Sequence, residues 1–389
     1  MHIAPALRAT LAPPVMEARR WLEGVSFPPE RPLLNLSQAA PVLPPPPPLQ
    51  AAMAEALQDP ATHLYGPVLG LPELRAVLAA RMQAVYGGEV AATQIGITSG
   101  CNQAFCAAIA SLAGPGDAVI LPTPWYFNHA MWLSMQGVEA TPLPCGPELL
   151  PDPEDAARLI TPATRAIVLV TPNNPSGVEY PPALMEAFRD LARKHGLALI
   201  VDETYRDFHS IGGAPHALFT DPDWADVLIH LYSFSKAYRL TGHRVGAIAT
   251  SAARLGEIEK FLDTLTICPT GLGQHAALWG LQNLGEWLAE ERREILRRRA
   301  ALEAGFAKLD AWALRGCGAY FGYVAHPFTE SAAELAKRLV RAAGVLVLPG
   351  TMFCPLSDQS GARHLRIAFA NADCDGIDAL TARLAKLEV

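Results

Sequence analysis

Val227-Leu228-Ile229-His230-Leu231-Tyr232-Ser233-Phe234-Ser235-Lys236-Ala237-Tyr238-Arg239-Leu240-Thr241-Gly242-His243-Arg244-Val245-Gly246 joins a short apolar run to a polar turn bounded by glycine. The run Val227 to Leu231 reads as a buried strand. Beyond its carboxyl end the chain offers one amine, several hydroxyls and a guanidinium. A lysine amine is a nucleophile only where burial or a neighbouring cation keeps it partly unprotonated, and Arg244 supplies such a cation. The same guanidinium suits a phosphate, so the stretch is equipped to hold a phosphorylated aldehyde. Taken alone it would also pass for a surface loop, since lysine is mostly exposed.

Outward from this stretch, apolar runs alternate with helical patterns from Leu49 to about Leu265. The runs are Asp117 to Leu121, Ala166 to Val170, Ala198 to Val201 and Val245 to Thr250, together with the one already quoted. Such alternation predicts an α/β fold: a large domain whose mostly parallel sheet is flanked by helices. A helical stretch from Gly285 to Leu309 follows, then strands at Tyr320 to Val324, Val345 to Leu348 and Leu365 to Ala368, which read as a smaller α+β C-terminal domain. The expected division is 1–48, an N-terminal arm and Pro-rich connector; 49–284, the large domain; and 285–389, the small one. The run Pro44 to Pro48 is expected to be extended polyproline II acting as a stiff connector.

In an open parallel sheet the ligand crevice lies beyond the carboxyl ends of the strands. Asn174, Asp202 and Lys236 all follow strand ends and are expected to converge there. Gly96 to Ala104 reads as a strand passing into a helix whose first-turn amides form an anion site.

Composition narrows the field. At 389 residues the chain exceeds a usual single domain, and 50% hydrophobic residues exclude disorder. A net charge of −7 with no dominant basic tract argues against nucleic acid or an anionic membrane as partner. The mixed-sign run Glu290 to Arg299 reads as the solvated face of a helix. Seven scattered cysteines without a C-x-x-C pair point away from a disulfide framework or a zinc site and towards a reducing, cytoplasmic setting. No signal peptide or membrane span is evident.

The lysine segment, together with Thr171-Pro172-Asn173-Asn174-Pro175-Ser176-Gly177, Asp202-Glu203-Thr204-Tyr205-Arg206-Asp207-Phe208 and His364-Leu365-Arg366-Ile367-Ala368-Phe369, resembles the class I/II aminotransferases, fold-type I enzymes dependent on pyridoxal 5′-phosphate. The resemblance runs from about Asn35 to the C-terminus. It implies that Lys236 forms the Schiff base and then acts as the base. Asp202 would sit beside the protonated pyridine nitrogen, and Asn174 and Tyr205 would contact the phenolate oxygen. It assigns the phosphate to Gly100, Cys101, Asn102, Ser233 and Arg244, and to Tyr65 reaching across from the neighbouring subunit of a homodimer. Tyr126 would stack on the pyridine face, with Trp125 as the adjacent alternative, and Arg366 would grip the substrate α-carboxylate.

Three positions depart from the common pattern: Ala39 stands where glycine is frequent and would narrow the substrate pocket, His243 where tryptophan is frequent, and Cys354 where glycine is frequent. The implied activity is transfer of an amino group between an L-α-amino acid and a 2-oxo acid by a ping-pong cycle. A β-eliminating lyase or an amino-acid oxidase on the same fold is the alternative, and a cofactor-sensing regulator is a remoter one.

Overall fold

The computed structural model describes residues 2–387. Seven strands form the central sheet: β1 (Ile95–Thr98), β2 (Ala118–Thr123), β3 (Glu139–Pro144), β4 (Thr164–Val170), β5 (Ala198–Asp202), β6 (Leu228–Ser233) and β7 (Gly246–Ala249). Their order is β1-β7-β6-β5-β4-β2-β3, and only β7 runs antiparallel to its neighbours. Along β4 and β5, Ile167, Leu169, Leu199 and Val201 enter one apolar cluster, while Ala166, Val168, Ala198 and Ile200 enter another. Both faces of the sheet are therefore covered, which is why these strands read as unbroken apolar runs.

The C-terminal unit carries a four-stranded antiparallel sheet of β8 (Ala313–Gly318), β9 (Phe321–Ala325), β10 (Leu348–Pro349) and β11 (His364–Ile367), in the order β10-β11-β9-β8. The fold is thus α/β with a smaller C-terminal sheet domain. The helix Gly285–Phe306 lies where the sequence placed one. Its charged residues pair along its own surface, as in Arg298–Glu294 and Arg299–Glu303.

The N-terminal arm differs from expectation. It contains two short helices, α1 (Pro5–Ala9) and α2 (Pro14–Arg20), and Leu34–Asn35 pairs in parallel with Val345–Leu346. The proline run is extended only as far as Pro46, because Pro47 and Pro48 open the helix α3 (Pro47–Ala56). Proline fits the first helical turn, where its missing N–H is a donor that the helix would leave unpaired anyway.

Candidate active site

Register brings the strand ends together: Asp202, the last residue of β5, pairs with Val170 at the end of β4 and with Leu231 in β6. Beyond these ends opens a cavity of about 440 Å³. Ala39, Cys101, Asn102, Tyr126, Asn174, Asp202, Tyr205, Ser233, Lys236, Arg244 and Arg366 all line it. Lys236 sits not in an open loop but in the single helical turn Phe234–Ala237 that follows β6. Tyr65 does not line this cavity; it is 79% exposed on the surface of its own chain.

Lys236 Nζ donates to the Ala39 carbonyl at 2.7 Å. Burial first, then the nearby guanidinium groups of Arg244 and Arg366, lower its pKa from 10.5 to about 8. An appreciable fraction of the amine is therefore unprotonated near neutral pH, as a nucleophile requires.

Asp202 is buried and held by several hydrogen bonds. Its Oδ1 accepts from Thr204 N at 3.0 Å, from Thr204 Oγ1 at 2.7 Å and from Cys101 Sγ at 3.6 Å. Its Oδ2 lies 3.3 Å from His129 Nε2. Burial alone would push the carboxyl pKa up, but His129 and Thr204 together hold it below its ordinary value. The result is a buried carboxylate that stays charged.

Arg366 is 2% exposed, between the rings of Phe321 and Phe353, with its guanidinium carbon 5.1 and 4.9 Å from their centroids. One Nη donates to Asn174 Oδ1 at 3.0 Å and the other to the Ser37 carbonyl, while Nε has no partner. Burial lowers its pKa to about 10, which leaves it charged at neutral pH. A buried guanidinium with only neutral acceptors and one free N–H is ready for a carboxylate.

Of the two aromatic alternatives, Tyr126 lines the cavity and Trp125 packs into the core. Tyr126 packs edge-on against His129, with centroids 5.1 Å apart, and its hydroxyl bonds Asn128 and Asn102. Tyr205 is buried against Tyr320 and Phe321, and burial keeps its phenol protonated. Neither His243 nor Cys354 lines the cavity; the Cys354 thiol donates to backbone carbonyls such as Gly350 and Asp358.

The residues fit a phosphorylated pyridine cofactor. At Gly100 the backbone takes φ +87°, and a Cβ there would lie 2.2 Å from an Arg244 Nη. Arg244 thus rests against a bare glycine at the start of the helix Cys101–Ala110, whose first amides have no acceptor within the helix. Arg244 Nη1 also lies 3.4 Å from Ser235 Oγ, and both Ser233 and Ser235 line the same wall. Glycine, free amides, two hydroxyls and a guanidinium form a cradle for a dianion at one end, and the Asp202 carboxylate faces the cavity at another.

The family described as aminotransferase class I and II matches residues 31–384. The chain belongs to that family. It is 31% identical over 316 residues to a probable aspartate/prephenate aminotransferase of Thermus aquaticus, covering 79% of this chain and 80% of the relative. It is 34% identical over 342 residues to the arginine–pyruvate transaminase AruH of Pseudomonas aeruginosa, covering 86% and 85%. The solved structure of Thermus thermophilus aspartate aminotransferase with maleate superposes with a TM-score of 0.90, at 26% identity and 99% coverage of both chains. The protein is therefore an aminotransferase, and its family implies pyridoxal phosphate as cofactor. No described helix is long and apolar enough to cross a membrane.

Several residues of this aminotransferase site escaped the sequence reading. His129 lies three positions after Tyr126 at the start of the helix Phe127–Gln136, so helical spacing puts both on one face. Ser235 and Thr204 were within quoted segments but looked like filler. The walls contributed by α2, namely Pro14, Val15, Met16 and Arg19, had no local signal, because only tertiary packing brings that helix over the cavity.

Proposed function

We propose that this aminotransferase binds pyridoxal 5′-phosphate and moves an amino group between an L-α-amino acid and a 2-oxo acid in two alternating half-reactions. It would work as a cytoplasmic homodimer, with residues 49–284 as the cofactor-holding unit and 285–389 as the smaller one. The observation that carries this reading is the Lys236 amine, kept partly free by burial and two guanidinium groups, in one cavity with the Asp202 carboxylate and the Arg366 guanidinium.

When bound, the cofactor supplies an electron sink that stabilises negative charge at the substrate Cα. The chain supplies the rest. Ser233, Ser235, Arg244 and the backbone from Gly100 to Asn102 hold the phosphate. Asp202, oriented by His129 and Thr204, keeps a proton on the pyridine nitrogen. Asn174 and Tyr205 donate to the phenolate oxygen, and Tyr126 covers the ring face. Arg366 takes the substrate α-carboxylate, which displaces the Ser37 carbonyl and fixes which Cα bond is weakened. Lys236, released from the Ala39 carbonyl, would be the base that takes the proton from the substrate Cα and carries it to the cofactor side of the site. The methyl of Ala39 limits the room beside the substrate side chain.

The dimer is proposed on the family resemblance, which assigns Tyr65, exposed on its own chain, to the partner's phosphate. Mixing Lys236→Ala with Tyr65→Phe chains should restore transamination that neither parent shows, because one of the two shared sites in the mixed dimer is then native. No recovery after verified subunit exchange would contradict shared sites. Failure of the native protein to release a 2-oxo acid from any L-amino acid in a donor panel would contradict the function itself.

A further inference from the structure

The charges facing the cavity do not balance once the proposed roles are assigned. Four cations line it, Arg19, Lys236, Arg244 and Arg366, against the single carboxylate of Asp202. Arg244 is matched by the phosphate, Arg366 by the substrate α-carboxylate, and Lys236 by its own chemistry. Arg19 is left over. Among the described residues it makes no ion pair, and its one side-chain partner is Gln38 Oε1 at 2.6 Å.

That contact ties Arg19 to the substrate end of the site. Gln38 lies between Ser37, whose carbonyl accepts from Arg366, and Ala39, whose carbonyl accepts from Lys236. A substrate anchored at Arg366 in place of the Ser37 carbonyl would share its cavity with the wall that Gln38 and α2 form. The groups on that wall are apolar at Val15 and Met16 and cationic at Arg19, with the amide of Asn128 facing them from the same cavity. An exposed, unpaired guanidinium at the rim, with an amide already holding one of its N–H groups, fits a second carboxylate.

We infer that Arg19 reads the distal carboxylate of an acidic amino acid or 2-oxo diacid, so that the N-terminal helix of the same chain sets the substrate class. The inference rests on the proposed function for its Arg366 anchor.

Succinate and butyrate have the same carbon count and differ in the second carboxylate, so their affinities for the cofactor-loaded protein isolate it. Calorimetric titration should show succinate binding more tightly. Arg19→Gln should cut the succinate-to-butyrate affinity ratio by about 10- to 100-fold, the range expected for losing a hydrogen-bonded charge contact. Arg19→Lys should retain part of the ratio. Arg20→Gln, exposed on the same helix and not lining the cavity, should leave it unchanged. Equal affinities in the native protein, or an unchanged ratio in Arg19→Gln, would overturn the inference while leaving the Arg366 anchor standing. If neither acid binds, the anchor fails as well, and with it the proposed function.

Discussion

Lys236→Ala is expected to lower kcat by about 10⁴-fold, the upper range for removing a positioned general base. The cofactor should also lose its covalent attachment, so that borohydride treatment no longer labels the chain. Two proposed roles fail at once, because the same amine would both attach the cofactor and move the substrate proton. Neither neighbouring acidic group, Asp202 or Cys101, is suited to substitute. The Asp202 carboxylate is taken up by Thr204, Cys101 and His129. The Cys101 thiol is held well above its ordinary pKa by burial and then by Asp202. Retention of more than about a tenth of the native rate would mean that another base carries the proton.

Arg366→Ala should act on substrate and spare the cofactor. Its guanidinium contacts are Asn174, the Ser37 carbonyl and two aromatic rings, none of which belongs to the phosphate cradle. Removing it takes away the anchor for the α-carboxylate and leaves buried acceptors unpaired. kcat/KM is expected to fall by about 10²- to 10³-fold, mostly through KM, as for truncating one partner of a buried charge pair. The visible absorption of the bound cofactor should persist. Arg366→Lys should recover only part of the loss, since an ammonium cannot match the two-point geometry of the fork. Loss of cofactor from Arg366→Ala would show that the arginine has been assigned to the wrong ligand.

Much of this was legible before the structure because the informative residues sit in buried parallel strands and the turns after them. Strands β4, β5 and β6 are apolar on both faces, so their carboxyl ends can be located from the run lengths, and the family resemblance singles out Asn174, Asp202 and Lys236 beyond them. Two edge strands, β3 and β8, were not legible. β3 carries Pro142 and Pro144, and it lies at the sheet edge where proline is tolerated. β8 carries Gly316 and Gly318, which look like loop residues. A Cβ at Gly318 would lie 2.2 Å from the Gly177 carbonyl oxygen, so glycine is needed for the strand to approach the turn that bears Asn174. The N-terminal arm was the largest miss. α2 has only seven residues, and nothing in its composition announces that it folds over a cavity built mostly from residues far later in the chain, so Arg19 could be connected to the site only by the fold.

In the proposed cycle Lys236 would move one proton between two carbons and leave the amino group on the cofactor. A single-turnover mixture of cofactor-loaded protein and a good L-amino acid, without any 2-oxo acid, tests it most directly. The account predicts that the cofactor's visible band bleaches, that one 2-oxo acid is released per site, and that added 2-oxo acid restores the band. Continuous release of ammonia with no acceptor present, or oxygen consumption with peroxide, would contradict it.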